Sequence, residues 1–508
     1  MKYPSLPEPG MPEYKLQRWL AMVPGVLTWS TLIGAFVFSF WQPVWVAVFV
    51  IIYDLYWLFK ALVIGGHSIL AYRRMRRIVK INWLRKCQNI KNSHGLDLKE
   101  IVHLIVIPYC QEGLEILEPT IKAIADSNFL LDQVVVVMSG EKKAGPGVGE
   151  RGLILKEKYG RFFRTFLTTV HPVSSGKMSN KSANANWAAE KGIAYLKKEN
   201  IDSDRVIVSN FDCDTCIHKQ YLANVTYRFL ASKNRYRESY QPLPMYNNNI
   251  WDTIAIVRVV SLGCSFWHMI ESTRPERLIT FSSHSMSLKA LLDVGLWQRD
   301  VISDDSAIFW QCYIFYDGDY RSVPLYIPVS MDATLSTSVK KTIINEYKQK
   351  RRWAYGIEHF PRVTRAFLRN KKIPFGERLR HLGIILGGHY SWATSSLLIM
   401  ILGWLPLFIG GSKFNETVLA HYLPLLTRNI LIIAMLGLLV STFLSFFLLP
   451  PKPKRYGKAK YIPMVFQWAL VPVIASLMGS IPAIDSQTRL MLGKYVNRFW
   501  VSEKIRKK

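Results

Sequence analysis

The sequence predicts an α/β domain built on a mainly parallel sheet and inserted between two groups of transmembrane helices. Three observations predict it. Apolar runs long enough to cross a bilayer core, about 20 residues each, cluster toward the two ends of the chain. The middle alternates short buried strands with helical segments. Short clusters of carboxylates and cations fall where those strands end, which is where open parallel sheets bind ligands. With 508 residues, 50% of them hydrophobic, the chain is too long for one ordinary domain and too apolar for an ordinary soluble protein.

The elements follow in order. Residues 1–66 form an N-terminal segment and a two-helix transmembrane hairpin. The first 18 residues contain several prolines and are expected to lie on the membrane surface. Leu20 to Phe40 and Val44 to Ile64 are the two spans. The first is not read as a signal peptide, because a second run follows at once and no small-residue cleavage site is evident. Residues 67–98 read as a basic amphipathic connector and 99–345 as the α/β domain. In that domain His103–Pro108, Gln133–Met138 and Arg205–Asn210 are strands, and Leu117–Ala125 and Ala183–Leu196 are helices. Residues 346–382 form interfacial helices. Residues 383–484 are the C-terminal transmembrane region, with runs at Ile384–Ile409 and Ile430–Leu449. A further run, Ile462–Ile484, holds Pro463, Pro472 and Pro482 and can kink, span or re-enter. Residues 485–508 are a basic tail.

The net charge of +29 invites a nucleic-acid reading, but its placement argues against one. Arg73, Arg74, Arg76 and Arg77 follow the second span, and Lys452, Lys454, Arg455, Lys458 and Lys460 follow the fourth. Lys504, Arg506, Lys507 and Lys508 close the chain. Basic residues beside spans orient them with those ends in the cytoplasm and attract anionic lipid. No nucleic-acid-binding module is recognisable. The six cysteines lie outside the apolar runs and are expected as thiols in a cytoplasmic domain. Cys213-x-x-Cys216 has no second pair and reads as a bystander.

Chemistry concentrates in four places. Asp212-Cys-Asp214 follows the strand Val206–Asn210. A D-x-D match alone is usually a solvated turn, but carboxylates at i and i+2 on a buried strand's end can share a divalent cation and hold a diphosphate against it. Asp304-Asp305 precedes the apolar Ile308-Phe-Trp310, where a carboxylate is either a helix cap or a general base. Lys181-Ser-Ala-Asn184-Ala-Asn186 opens a helix: Ser and Asn serve as ordinary caps there, whereas a Lys facing the crevice can neutralise phosphate. Gln349-Lys-Arg-Arg352-Trp353 offers an amide, a cation and an indole on one or two helical turns, able to clamp a diphosphate and stack on a sugar. Two weaker matches are set aside. Gly147-Val-Gly149-Glu-Arg-Gly152 trails its strand and reads as a flexible loop, and Gly176-Lys177 lacks the upstream glycine of a P-loop.

In this order the residues resemble the membrane-embedded family-2 glycosyltransferases of the cellulose synthase and hyaluronan synthase type. Ile107-Pro108-Tyr-Cys-Gln-Glu112 resembles the nucleoside loop of the first strand, and Lys181-x-x-Asn184-x-Asn186 the Lys-Ala-Gly-Asn-x-Asn segment. Asp212-x-Asp214 matches the metal motif, and Ser303-Asp304-Asp305 stands where Thr-Glu-Asp is usual. Gln349-x-x-Arg352-Trp353 completes the set. The ending Phe499-Trp500-Val-Ser-Glu-Lys504 is similar to a common tail of these enzymes. The resemblance covers about residues 100–360 closely.

It implies a GT-A (Rossmann-like) catalytic domain on the cytoplasmic face of the plasma (inner) membrane and an inverting transfer. The donor would be a nucleotide-diphosphate sugar, a UDP-sugar being expected, and the acceptor a glycan or lipid-linked sugar. Mg2+ or Mn2+ would sit on Asp214, with Asp212 assisting on metal or ribose. Asp305, with Asp304 beside it, would be the base. Pro108, Glu112, Glu141, Lys181, Asn184 and Arg352 would bind donor, and Gln349, Trp353 and His284 acceptor. Processive polysaccharide synthesis is the favoured outcome. Single transfer to a lipid carrier or glycolipid, and a non-catalytic membrane scaffold, remain as alternatives, while a transporter fits poorly with so large a soluble middle. Departures bear on specificity. Glu141 stands near the place of an aspartate that contacts the base, Asp304 replaces a glutamate, and Thr280-Phe-Ser-Ser-His284-Ser differs from the usual glycine-bearing text.

Overall fold

The computed structural model describes residues 1–91, 93–172, 181–496 and 503–506. Its centre is an eight-stranded sheet of β1 (Val102–Tyr109), β2 (Val134–Glu141), β3 (Thr165–His171), β4 (Val206–Asn210), β5 (Cys216–Ile217), β6 (Glu238–Tyr246), β7 (Ser285–Ser287) and β8 (Arg321–Met331). The strand order is β3-β2-β1-β4-β7-β6-β8-β5. Every residue of β1 and β2 is buried, as a strand covered on both faces requires. Side chains alternate across the sheet. Leu104 and Val106 pack with Ala185, Ala188 and Ala189 of the helix Lys181–Lys198. Ile105 and Ile107 pack with Leu117, Ile121 and Ile124 of the helix Leu114–Ala125 on the other face. Gly192 lets the first of these helices approach closely, since a Cβ there would stand 2.5 Å from Leu104 Cδ1.

The sheet is more mixed than the sequence suggests. β3, β2, β1 and β4 run parallel, and so do β6 and β8; β7 is antiparallel to β4 and β6, and β5 to β8. β6 and β8 each contain two prolines, Pro242 and Pro244, Pro324 and Pro328, which sequence rules count against strands. Their pairing tolerates them through a register shift between Gln241 and Leu243. The glycine-rich stretch at 147–152 is not a flexible loop. Gly147, at φ 83°, precedes the helix Val148–Tyr159, and Gly152 brings that helix against Tyr109 and Thr168. Gly176 and Lys177 lie outside the described residues.

Four helices are long and apolar enough to cross a membrane: Tyr14–Trp41, Pro43–Ile78, Val418–Leu448 and 458–491. The helices Phe375–Met400 and Leu402–Ile409, bent by 45° to each other, make a fifth if the pair forms one span. The second helix runs unbroken to Ile78, so its basic end is a helical extension and the connector is shorter than expected. Its arginines are good helix formers and nothing between them breaks the helix. The segment 458–491 is helical throughout, with a π-helical stretch at Ala475–Ser480. One end rests on the α/β domain and the other on the helix Val339–Ala354 that follows it. Just before it, Arg455 pairs with Asp252 at 2.8 Å and Tyr456 donates to Asp252 at 2.6 Å. Near its end, Asp485 meets Arg351 at 3.1 Å. Its middle packs on the bent helix, where Ser476 and Ser480 reach Ser396. Among the N-terminal residues, Tyr3 is buried against His359.

Candidate active site

β2, β1 and β4 are parallel neighbours, so their carboxyl ends share one edge of the sheet. β4 stops at Asn210, and the turn after it carries Asp212 and Asp214. Asp304 and Asp305 begin the helix Asp304–Phe315. Lys181, first residue of its helix, joins the two: its Nζ lies 2.6 Å from Asp212 Oδ1 and 2.9 Å from Asp305 Oδ1. Motifs over 90 positions apart are thereby brought to one ammonium. Burial alone would raise the Asp212 carboxyl. The Lys181 and Lys504 ammoniums, with a 2.5 Å bond from Ser282, more than offset this and hold it well below the usual range. Burial likewise works against charge on Lys181, but Asp212, Asp305 and Asp304 hold it well above an ordinary lysine.

Asp304 has a different environment. It is 4% exposed, and its Oδ2 meets no hydrogen-bond partner among the described residues. Burial first, then the Asp305 charge, push its carboxyl up to about 7. Arg352 faces the same carboxylates. Burial lowers its pKa, opposed by Asp212, Asp304 and Asp305. Gln349 accepts from Thr334 at 2.8 Å. The Trp353 ring lies 5.4 Å from Tyr246 and under the Lys350 ammonium at 3.8 Å.

The predicted donor residues divide by role. Pro108 pairs with Ser139 across β1 and β2. Glu112 folds back to accept from the Cys110 amide at 2.7 Å, and Glu141, at the end of β2, pairs with Lys143 at 2.9 Å. The Asn184 NH2 donates to Ser139 O at 2.9 Å and Tyr109 O at 3.3 Å and so ties β1 to β2, while its buried Oδ1 has no hydrogen-bond partner among the described residues. Asn186 similarly binds the Trp297 backbone at 2.7 and 3.0 Å. His284 is wholly buried, with Nδ1 3.0 Å from Phe281 O. Its buried Nε2 has no hydrogen-bond partner among the described residues.

Three residues, Lys504, Asp332 and Arg506, were not among the predicted site residues. Lys504, in the basic tail, places Nζ 2.6 Å from Asp214 Oδ2, and the Asp332 amide donates to the same oxygen at 2.8 Å. Arg506 then grips Asp332 through Nη2 at 2.7 Å and Nε at 3.0 Å. Asp332 directly follows β8, a strand-end position that could have singled it out; nothing local signals where Lys504 lands. Residues 499–502 of that tail lie outside the described residues. The six cysteines are all free thiols.

Asp214 is fully buried, yet its Oδ1 has no hydrogen-bond partner among the described residues. A buried acceptor beside an oxygen already held by an ammonium fits a hard cation. Among the described residues no three His, Cys, Asp or Glu side chains converge to hold a metal by themselves. A site that takes one or two carboxylates and completes its shell with phosphate and water has this character.

The chain belongs to the glycosyl transferase family group 2, whose model matches residues 207–477, more than half its length. It is a glycosyltransferase. Comparison with curated proteins finds no match. Among solved structures it is similar to the mannosyltransferase PcManGT from Pyrobaculum calidifontis in complex with GDP-Man and Mn2+. That similarity covers 85% of this chain and 100% of that one, at 13% identity and a TM-score of 0.42. It is also similar to S. aureus TarS 1–349 in complex with UDP-GlcNAc, at 11% identity and a TM-score of 0.36, over 67% and 90% of the two chains.

Proposed function

We propose that this protein is an inverting glycosyltransferase that moves a sugar from a nucleotide-diphosphate sugar to a glycan or lipid-linked acceptor at the membrane. The observation that carries this is Lys181, bridging Asp212 at 2.6 Å and Asp305 at 2.9 Å. It joins a strand-end carboxylate pair suited to a diphosphate with a carboxylate suited to proton removal. The known ligands of the similar structures, GDP-Man with Mn2+ and UDP-GlcNAc, agree with a nucleotide-sugar donor. A UDP-sugar, a cytoplasmic catalytic face at the plasma membrane and processive polysaccharide synthesis extend this reading through the motif resemblance.

In the proposed reaction Asp305 removes the proton from an acceptor hydroxyl as its oxygen attacks the anomeric carbon in line. The bond from that carbon to the diphosphate oxygen breaks, and the nucleoside diphosphate departs with the electron pair. Lys181 turns from the carboxylates to the diphosphate, and Arg352 holds it as negative charge develops there. Asp214 and Asp212 would hold Mg2+ or Mn2+, which supplies further neutralisation of the leaving group. Gln349 and Trp353 shape the acceptor end. Radiolabel transfer from a panel of nucleotide sugars by detergent-solubilised protein, with products sized, tests this. One productive donor is expected. Long products would support polymerisation, and single additions the transfer to a lipid carrier.

A further inference from the structure

The loop that carries the proposed base is fastened from behind by the first residues of the chain. Glu358 Oε1 accepts from the amides of Ile302 at 2.8 Å and Ser303 at 3.1 Å, the two residues before Asp304. Arg362, one turn on, donates to the Asp300 carboxylate at 2.8 Å, to its carbonyl at 2.7 Å and to Pro4 O at 3.3 Å. The Leu6 amide donates to the same Asp300 Oδ2 at 2.9 Å, and Arg365 reaches Ser5 O at 3.1 Å. The N-terminal backbone and the base loop thus share Asp300 and Arg362.

A second connection has a direction. The Tyr3 hydroxyl lies 2.8 Å from His359 Nδ1, and His359 Nε2 lies 2.9 Å from Ser306 Oγ. Ser306 in turn donates to Ser303 O at 3.1 Å. Because the Ser306 proton is committed there, its oxygen accepts from His359 Nε2–H, and Nδ1 accepts from Tyr3. Tyr3 and His359 are 6% and 3% exposed, so no water replaces a missing link without rearrangement. The chain ends on the carbonyl one residue before Asp304.

We propose that Tyr3–Leu6 is a positioning strap for the catalytic base. It acts through Asp300 and Ser303 on the placement of Asp305, and it rests on the assignment of Asp305 given above. A base moved by a fraction of an ångström loses rate without losing donor affinity. Two variants test it in the full chain, using the donor found productive in the panel assay. Tyr3→Phe removes only a hydroxyl; Leu6→Pro removes the amide donor but also changes the side chain and fixes φ, so Leu6→Ala, which keeps the amide, is its control. Tyr3→Phe and Leu6→Pro are each expected to lower kcat by about five- to tenfold, with the donor KM within about twofold of wild type. In an Asp305→Asn background the same substitutions are expected to change the residual rate by less than about twofold, because their target is gone. A lowered Tm with unchanged kcat would make the segment an anchor only and overturn the proposal. So would an equal loss of kcat in the two backgrounds. A near-wild-type rate for Asp305→Asn alone is a separate outcome, which removes the base assignment and the strap's target with it.

Discussion

Asp304 and Asp305 are neighbours that the structure separates by environment. Asp305 contacts Lys181 at 2.9 Å and is partly open to the crevice, whereas Asp304 is buried beside it. Asp305→Asn is therefore expected to reduce turnover by at least about 100-fold, with donor KM nearly unchanged. If Asp304→Asn cripples the enzyme and Asp305→Asn is mild, the roles are exchanged. The raised Asp304 carboxyl also has a pH signature, set among Asp305, Asp212, Lys181 and Arg352. Its folded-state value of about 7 exceeds the unfolded value of 3.8, so between the two the folded state holds a proton the unfolded state has released. Stability from this group thus falls as pH rises through that window. Asp304→Asn, neutral throughout, is expected to raise Tm relative to wild type at pH 8, with the gain shrinking toward pH 4. An equal difference at both values would contradict the assignment.

At the scale of elements, what was legible is what local pattern encodes. The buried runs that became β1, β2 and β4 carry no competing signal, and Asp212, Asp214 and Lys181 follow or open elements the sequence marks clearly. β6 and β8 were hidden because prolines override a strand reading, and their pairing is decided by a bulge and by tertiary cover. The Asn184 NH2, expected at the donor, donates to the Ser139 and Tyr109 carbonyls, a contact that no local pattern announces. Lys504 was legible as a basic residue and as part of the tail text, but not as a neighbour of Asp214, since its partner lies 290 positions away. That contact yields a prediction. The ammonium on Asp214 Oδ2 competes electrostatically with a divalent cation on the same carboxylate, so Lys504→Ala is expected to lower the Mg2+ concentration for half-maximal activity about fivefold. Loss of activity at saturating Mg2+ would instead assign the ammonium to the substrate.

At the scale of the whole molecule, the apolar segment 458–491 is flanked on both sides by contacts with the catalytic domain. The loop before residue 458 touches Asp252, and the tail touches Asp214. A single straight crossing between them would put these contacts on opposite sides, so the segment 458–491 is expected to enter and leave on the domain's face. Single cysteines at positions 456 and 505, in an otherwise cysteine-free chain, should show the same accessibility to an impermeant thiol reagent in intact cells. Labelling of the tail alone would establish a true span. The central claim, a strand-end carboxylate site that transfers sugar from a nucleotide donor, is tested most directly by radiolabel transfer with wild type and Asp214→Asn. Wild type should transfer label with Mg2+ or Mn2+, fall silent in EDTA and recover when metal is restored, and Asp214→Asn should be inactive though folded. Full transfer in chelator, or by Asp214→Asn, would contradict the account.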